Sequence, residues 1–159
     1  MPYDIPPFRP PSEAESLLVR VTRGCTWNKC TFCSMYKSMH FERRPLDEIE
    51  NDIISVRDCY RDMVRSVFIG DSNSPVIPAG DFVRILHLLY ESFPRIERVT
   101  SYARLKTLEK KSPADLKRLR TAGLTRLHAG LETGDAELLQ KVNKGCTPRE
   151  AVTAGIKAG

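Results

Sequence analysis

Apolar positions along the chain follow two periods. Leu17–Thr22 (LLVRVT) is a mostly apolar run that predicts a strand, with a cysteine-bearing loop after it. Leu46, Ile49, Ile53, Val56, Tyr60 and Met63 are spaced by 3, 4, 3, 4 and 3 residues. That is one face of a helix opened by Pro45, with Asp47 and Glu48 in the first turn, where the helix dipole favours acids. Val67–Ile69 predicts a short strand running into the loop Gly70-Asp71-Ser72-Asn73-Ser74. A helix over Asp81–Ser92 comes next, with Phe82, Ile85, Leu86 and Leu89 inward. Arg98–Ala103 predicts a third strand. Ser112-Pro113-Ala114-Asp115 combines a cap, a first-turn proline and an acid, and starts a helix that Gly123 stops. Arg126–Glu132 predicts a fourth strand, and Asp135–Asn143 a short helix ending at Gly145. Thr147-Pro148-Arg149-Glu150 starts a last helix, closed by Gly159.

Four strands alternating with helices imply an α/β fold with a parallel sheet and right-handed crossovers, either an open doubly wound sheet or a barrel segment. Side-chain parity separates Leu17, Val19 and Val21 from Leu18, Arg20 and Thr22. It places Arg98, Thr100, Tyr102 and Arg104 together, and groups Arg126, His128, Gly130 and Glu132 against Leu127, Ala129 and Leu131. One face is apolar and suits helices. The polar face predicts a barrel lumen or cleft, because strands covered on both sides are normally apolar throughout. In such folds the site lies at the C-terminal strand ends. The cysteine loop, the Gly70-Asp71-Ser72 loop, Tyr102–Arg104 and Glu132–Gly134 all fall there.

Composition bounds the class. The chain has 159 residues, 41% hydrophobic and 28% charged, which allows one domain and excludes a disordered chain, a collagen or a disulfide miniprotein. Five of the eleven prolines lie within the first eleven residues, so residues 1–16 are expected to form a proline-rich, extended N-terminal arm before a core over 17–159. No apolar run approaches the roughly 18 residues of a membrane span, and no signal-peptide order opens the chain, so a reducing cytoplasm is expected. The net charge of +5 is spread along the sequence. It suits an anionic substrate or RNA no better than it suits an ordinary solvated surface.

Cys25, Cys30 and Cys33 form the one dense chemical cluster, within RGCTWNKCTFCSMYK. In a reducing compartment, such clustering points to metal ligation over disulfides. Three thiolates on a short loop suit a cubic iron–sulfur cluster with one iron left open. They equally suit zinc, with a fourth ligand from His40, Cys59 or Cys146.

Taken together in chain order, these motifs resemble the radical S-adenosylmethionine (radical SAM) superfamily. Phe32 precedes the third cysteine after the first strand, and VFIGDSNS stands in the place of the glycine-rich motif that meets the SAM amino group. RLHAGLETGD, with LLQKVNKG after it, resembles the fourth strand and following helix of subfamilies related to methylthiotransferases and elongator subunit 3. Two features depart from the pattern. Four residues separate Cys25 from Cys30, where the usual spacing has three. Four βα units are legible where the common core has six, so the resemblance implies a partial TIM-like barrel lacking strands five and six.

By that resemblance, Cys25, Cys30 and Cys33 hold three irons of a [4Fe-4S] cluster, and SAM chelates the fourth. Reductive cleavage of SAM then yields a 5′-deoxyadenosyl radical that abstracts hydrogen from a substrate. Gly70, Asp71 and Ser72 would meet the methionine end of SAM, unless they form only a turn. Phe32 would pack near adenine. Glu132 and Thr133 would face the ribose or carboxylate region, unless Glu132 simply pairs with Arg104 or Arg126. Tyr102 and Arg104 would touch SAM's carboxylate or the substrate. His128 shares the polar face, where a hydrogen-bonded core histidine is the plainer reading. Trp27 either shields the cluster or anchors its loop, and His40, His87, Cys59 and Cys146 carry no special expectation. The implied partners are an external electron donor such as flavodoxin or ferredoxin and an unidentified polar or anionic substrate. A zinc- or cluster-stabilised binding module, engaging RNA without cleaving SAM, and an inactive fragment are the competing readings.

Overall fold

The computed structural model describes residues 8–159. Its centre is a parallel sheet built from β1 (Leu17–Arg20), β4 (Ser66–Gly70), β5 (Arg98–Ala103) and β6 (Leu124–Ala129), side by side in chain order. Two short strands, β2 (Thr22–Arg23) and β3 (Glu42–Arg43), pair antiparallel and close off the cysteine loop between them. Helices α1 (Leu46–Tyr60) and α2 (Ala79–Ser92) make the first two crossovers. The third comprises α3 (Leu105–Lys110) and α4 (Pro113–Thr121), and α5 (Ala136–Lys141) and α6 (Pro148–Ala158) come after β6. The sheet is open, an α/β architecture of four parallel strands with no closed barrel among the described residues.

The periodicity is realised where burial rewards it. Ile49 and Ile53 of α1, together with Phe82, Ile85, Leu86 and Leu89 of α2, lie against Val19, Val67, Ile69 and Val99 of the sheet. Each such side chain, fully buried, is worth about 1.5–3 kcal/mol. A second cluster joins α3, α4 and α6 through Leu105, Leu108, Leu116, Ala151 and Ala154. Ser112 accepts from Asp115 N at 3.0 Å, and Thr147 and Glu150 form a reciprocal capping box, so both predicted start signals act as caps.

Register places the polar face as parity predicted. Leu18 stands opposite Phe68, Phe68 opposite Thr100, and Tyr102 opposite His128. The face is mixed, because Leu18 and Phe68 are buried on it beside Arg20 and Thr100.

Several expectations need correction. Residues 1–7 of the expected arm lie outside the described residues. The rest of the arm is not wholly extended: Pro11–Glu13 is a 3-10 turn that turns Glu13 inward. The first strand stops at Arg20, since the chain bends at Val21 to let β2 meet β3. The fourth strand starts two residues early, at Leu124, and ends at Ala129, so Gly130–Glu132 is loop and Glu132 has a positive φ of 68°. Tyr60 and Met63 are exposed rather than inward, because α1 ends at Tyr60 beyond the edge of the core. Helix α3 was not expected at all.

Candidate functional site

The cysteine loop runs over residues 24–41 and is tied down from three sides. From the end of β4, Asp71 accepts from the Gly24 amide at 3.1 Å, and Ser72 Oγ donates to the Gly24 carbonyl at 2.9 Å. The buried Asn73 amide donates to Thr26 (3.0 Å) and Thr107 (2.8 Å) while its oxygen accepts from Arg104 N (2.9 Å), joining the loop to the end of β5. From within, Lys37 donates to the Asn28 and Cys30 carbonyls at 2.9 and 3.0 Å.

The third side is the segment after α5. Trp27 Nε1 donates to Asn143 O at 2.7 Å, Asn143 donates back to Lys29 O at 3.0 Å, and Thr31 N donates to Val142 O at 3.0 Å. The Arg104 guanidinium lies 5.3 Å from the Trp27 ring centroid, within cation–π range, and donates to Lys144 O at 3.1 Å. Lys144 Nζ in turn pairs with Glu132 at 2.6 Å and lies 5.7 Å from the Phe32 ring centroid.

These ties shape a cleft of about 210 Å³ at the C-terminal strand ends. Cys25, Cys30, Cys33, Phe32, Ser72, Tyr102, Arg104 and Glu132 all line it, so eight of the expected site residues meet in one place. Its wall also includes His128, Lys144 and Cys146. Three expected residues do not line it. Gly70 is buried in β4. Asp71 is 2% exposed, and its carboxylate is held by Arg20 Nε at 3.0 Å and Nη2 at 2.8 Å as well as by the Gly24 amide. It braces the loop and is not among the residues that line the cleft. Thr133 accepts from Asp135 N at 3.1 Å and caps the turn into α5. Glu132 does pair with a cation, but with Lys144 rather than the expected Arg104 or Arg126.

The candidate donors are thiols. All five cysteines are free thiols. Burial pushes the Cys25 thiol up, but the amides of Trp27 and Asn28, the Ser72 hydroxyl and Arg104 outweigh it and hold Cys25 below the ordinary thiol range. Burial raises Cys30, and the nearby Lys144 and Arg104 counter it only in part. The zinc reading needed a fourth ligand. Cys59 is exposed on α1, His40 is exposed, and Cys146 alone of the three lines the cleft. Among the described residues, no group of three or more His, Cys, Asp or Glu side chains is arranged to hold a metal ion. All three thiols of the cysteine loop line the cleft.

Sequence reasoning passed over Asn73, Lys144 and Gly145 as site residues. Asn73 and Lys144 sit inside quoted motifs, but which partners they hold depends on elements far away in the chain.

The family model of the radical SAM superfamily matches residues 19–158, and the chain belongs to that superfamily. No curated protein matches the sequence. Among solved structures, coproporphyrinogen III oxidase (HemN) from Escherichia coli, a radical SAM enzyme, superposes with a TM-score of 0.69 at 19% identity, covering 90% of this chain and 33% of that one. The cobalamin-dependent S-adenosylmethionine radical enzyme OxsB, with aqua-cobalamin and S-adenosylmethionine bound, gives 0.67 at 18%, covering 90% and 22%. Methylornithine synthase (PylB) gives 0.64 at 20%, covering 90% and 40%. The chain thus spans between about a fifth and two fifths of these chains, and at such identities the likeness is one of fold. No helix among the described residues is long and apolar enough to cross a membrane.

Proposed function

We propose that this chain carries the cofactor-binding part of a radical SAM enzyme, with Cys25, Cys30 and Cys33 holding a [4Fe-4S] cluster and SAM in the adjoining cleft. When bound, the cluster supplies one electron to the SAM sulfonium, which gives methionine and a 5′-deoxyadenosyl radical able to abstract a substrate hydrogen. The observation that carries this reading is the convergence of all three cysteines with Phe32, Tyr102, Arg104 and Glu132 on one cleft at the C-terminal strand ends.

The protein's own part is to bind and orient. Phe32 and Tyr102 offer ring surfaces to adenine. Arg104 has no carboxylate partner among the described residues, so its guanidinium is free to take the carboxylate of SAM or of a substrate. Ser72 and Glu132 offer polar contacts along the same wall. Asp71 acts one step back, by holding the Gly24 amide and with it the start of the cysteine loop, and the Gly70 carbonyl accepts from Val21 N just before that loop. An external donor such as flavodoxin or ferredoxin supplies the electron, in a reducing cytoplasm that keeps the free thiols available, and the substrate is polar.

The test is electron paramagnetic resonance on anaerobically reconstituted, dithionite-reduced protein, with and without SAM. A four-iron signal that changes when SAM is added supports the reading. A signal indifferent to SAM, or bound zinc with no iron signal, overturns it.

A further inference from the structure

The 3-10 turn before β1 delivers a carboxylate that the function proposed above does not use. Glu13 is fully buried, although it lies just past a run of prolines and precedes the first strand. Its Oε2 accepts from Ser16 Oγ at 2.6 Å and lies 3.5 Å from Arg98 Nη2. Its Oε1 stands 3.5 Å from His128 Nε2 on β6. Burial works against the charge. The Ser16 hydroxyl, Arg98, Thr100 and His128 outweigh it and hold the carboxyl below its ordinary range, so the group is a buried carboxylate.

Among the described residues, Glu13 Oε1 and His128 Nε2 are both buried with no hydrogen-bond partner, as is the nearby Thr100 hydroxyl, and the first two stand 3.5 Å apart. A neutral imidazole carries one N–H, and the tautomer is set by what each ring nitrogen faces. A carboxylate opposite Nε2 favours the proton there and leaves Nδ1 as an acceptor. The His128 side chain is 24% exposed although Nε2 is covered, and no described residue hydrogen-bonds Nδ1. The ring lines the cleft and is braced edge-on by Tyr102 (6.0 Å between centroids), with Phe68 at 6.3 Å.

We propose that Glu13 is a positioning residue that orients His128 so that Nδ1 accepts a hydrogen bond from an O–H or N–H group of the molecule bound in the cleft. This rests on reading the cleft as the place where SAM and substrate meet. The donor belongs either to the hydroxyls or amines of SAM or to the substrate. The sequence pattern alone, with Glu13 in an expected extended arm, gave no reason to connect it with a residue on the fourth strand.

Two measurements test the pair without depending on turnover. Long-range proton–nitrogen correlation spectra of the oxidised, cluster-loaded protein report the tautomer of each histidine, with His128 assigned by its absence in His128→Gln. The expected result is the Nε2–H form in the wild type. Glu13→Gln should retain it, because the amide oxygen still accepts, whereas Glu13→Leu should populate the Nδ1–H form. An Nδ1–H tautomer in the wild type overturns the proposal, as does an unchanged tautomer in Glu13→Leu. If Glu13→Leu does not fold, the wild-type and Glu13→Gln spectra still decide.

The second measurement is carbethoxylation by diethyl pyrocarbonate, mapped by mass spectrometry, with the exposed His40 and His87 as internal references. His128 should react within about tenfold of them, since a free acceptor nitrogen is the reactive species. Complete resistance overturns the placement of Nδ1 in the cleft. Protection by SAM identifies SAM as the donor, and reactivity that persists with SAM bound assigns the acceptor to the substrate. A wrong tautomer with an intact SAM-responsive cluster would sink this inference alone. A correct tautomer with no such cluster would sink the functional reading alone.

Discussion

Trp27 fills the space that any side chain at position 145 would need: a Cβ built on Gly145 lies 2.6 Å from the indole ring. The residue also has a φ of +74°, which L side chains rarely adopt. Trp27 belongs to the cysteine loop and Gly145 to the connector between α5 and α6, so this contact fixes where the loop sits against the cleft.

Replacing Gly145 by alanine should therefore displace Trp27 and loosen the loop. Backbone strain and overpacking together should cost roughly 2–4 kcal/mol. Thermal unfolding and iron content after reconstitution check this, and a variant with wild-type melting and full iron loading would show that the contact does not position the loop.

The buried pair of Arg20 and Asp71 should behave as a unit. Asp71→Asn removes the carboxylate charge that takes Arg20 Nε, Arg20 Nη2 and the Gly24 amide, at a cost on the order of 3–5 kcal/mol. The double replacement Arg20→Met with Asp71→Leu removes both buried charges and should be less destabilising than the single one. Denaturant titrations of both variants measure the difference, and additive losses would refute the coupling.

Glu13 makes stability depend on pH in a defined direction. Its carboxyl is held below the ordinary range in the fold, so the unfolded chain binds the proton more readily and stability rises with pH. The contribution is complete above the usual carboxylate range and is lost as pH falls through the lower folded-state value. Glu13→Gln should reduce stability near neutrality by about 1–3 kcal/mol and flatten the acid-side decline. Isothermal denaturation from neutrality to about pH 3 reads both effects. An equally steep acid slope in the variant would count against the assignment.

Serine at Cys25, Cys30 or Cys33 should each remove most of the reconstituted iron and the cluster absorbance, since all three thiols line the cleft. Cys59→Ser should leave iron loading unchanged, because Cys59 is exposed on α1. Iron and sulfide analysis of the four variants distinguishes a site built on the three loop thiols from one that recruits Cys59.

Legible and illegible features divide along one line, the distance in the chain over which a residue finds its partner. The inward faces of α1 and α2 were legible because Ile49, Ile53, Phe82, Ile85, Leu86 and Leu89 sit at helical spacing and need only a core to face. Ser112 and Thr147 were legible as starts because a cap acts within three residues. The cysteine motif and the strand-end loops could be placed on one rim from the order of elements alone.

Other features had no local signal. Helix α3 is six residues long and was hidden in a charged stretch, and the two-residue strands β2 and β3 exist only because the ends of the cysteine loop meet each other. The motif around Asp71 carries no sign that Arg20, on a strand that precedes the loop, donates twice to its carboxylate.

Local patterning was therefore enough to set the order of the four sheet strands and the longer helices, and the family they belong to, since these follow from periodicity and from motifs of a few residues. Which polar groups line the cleft and which are held inside the fold was decided by packing. Asp71 and Glu13 are both acids near the sheet, and only the arrangement of β1 and β6 around them shows that one braces the cysteine loop and the other faces His128. A carboxylate's availability is set by the charges and donors that burial brings beside it, and those come from segments far apart in the chain.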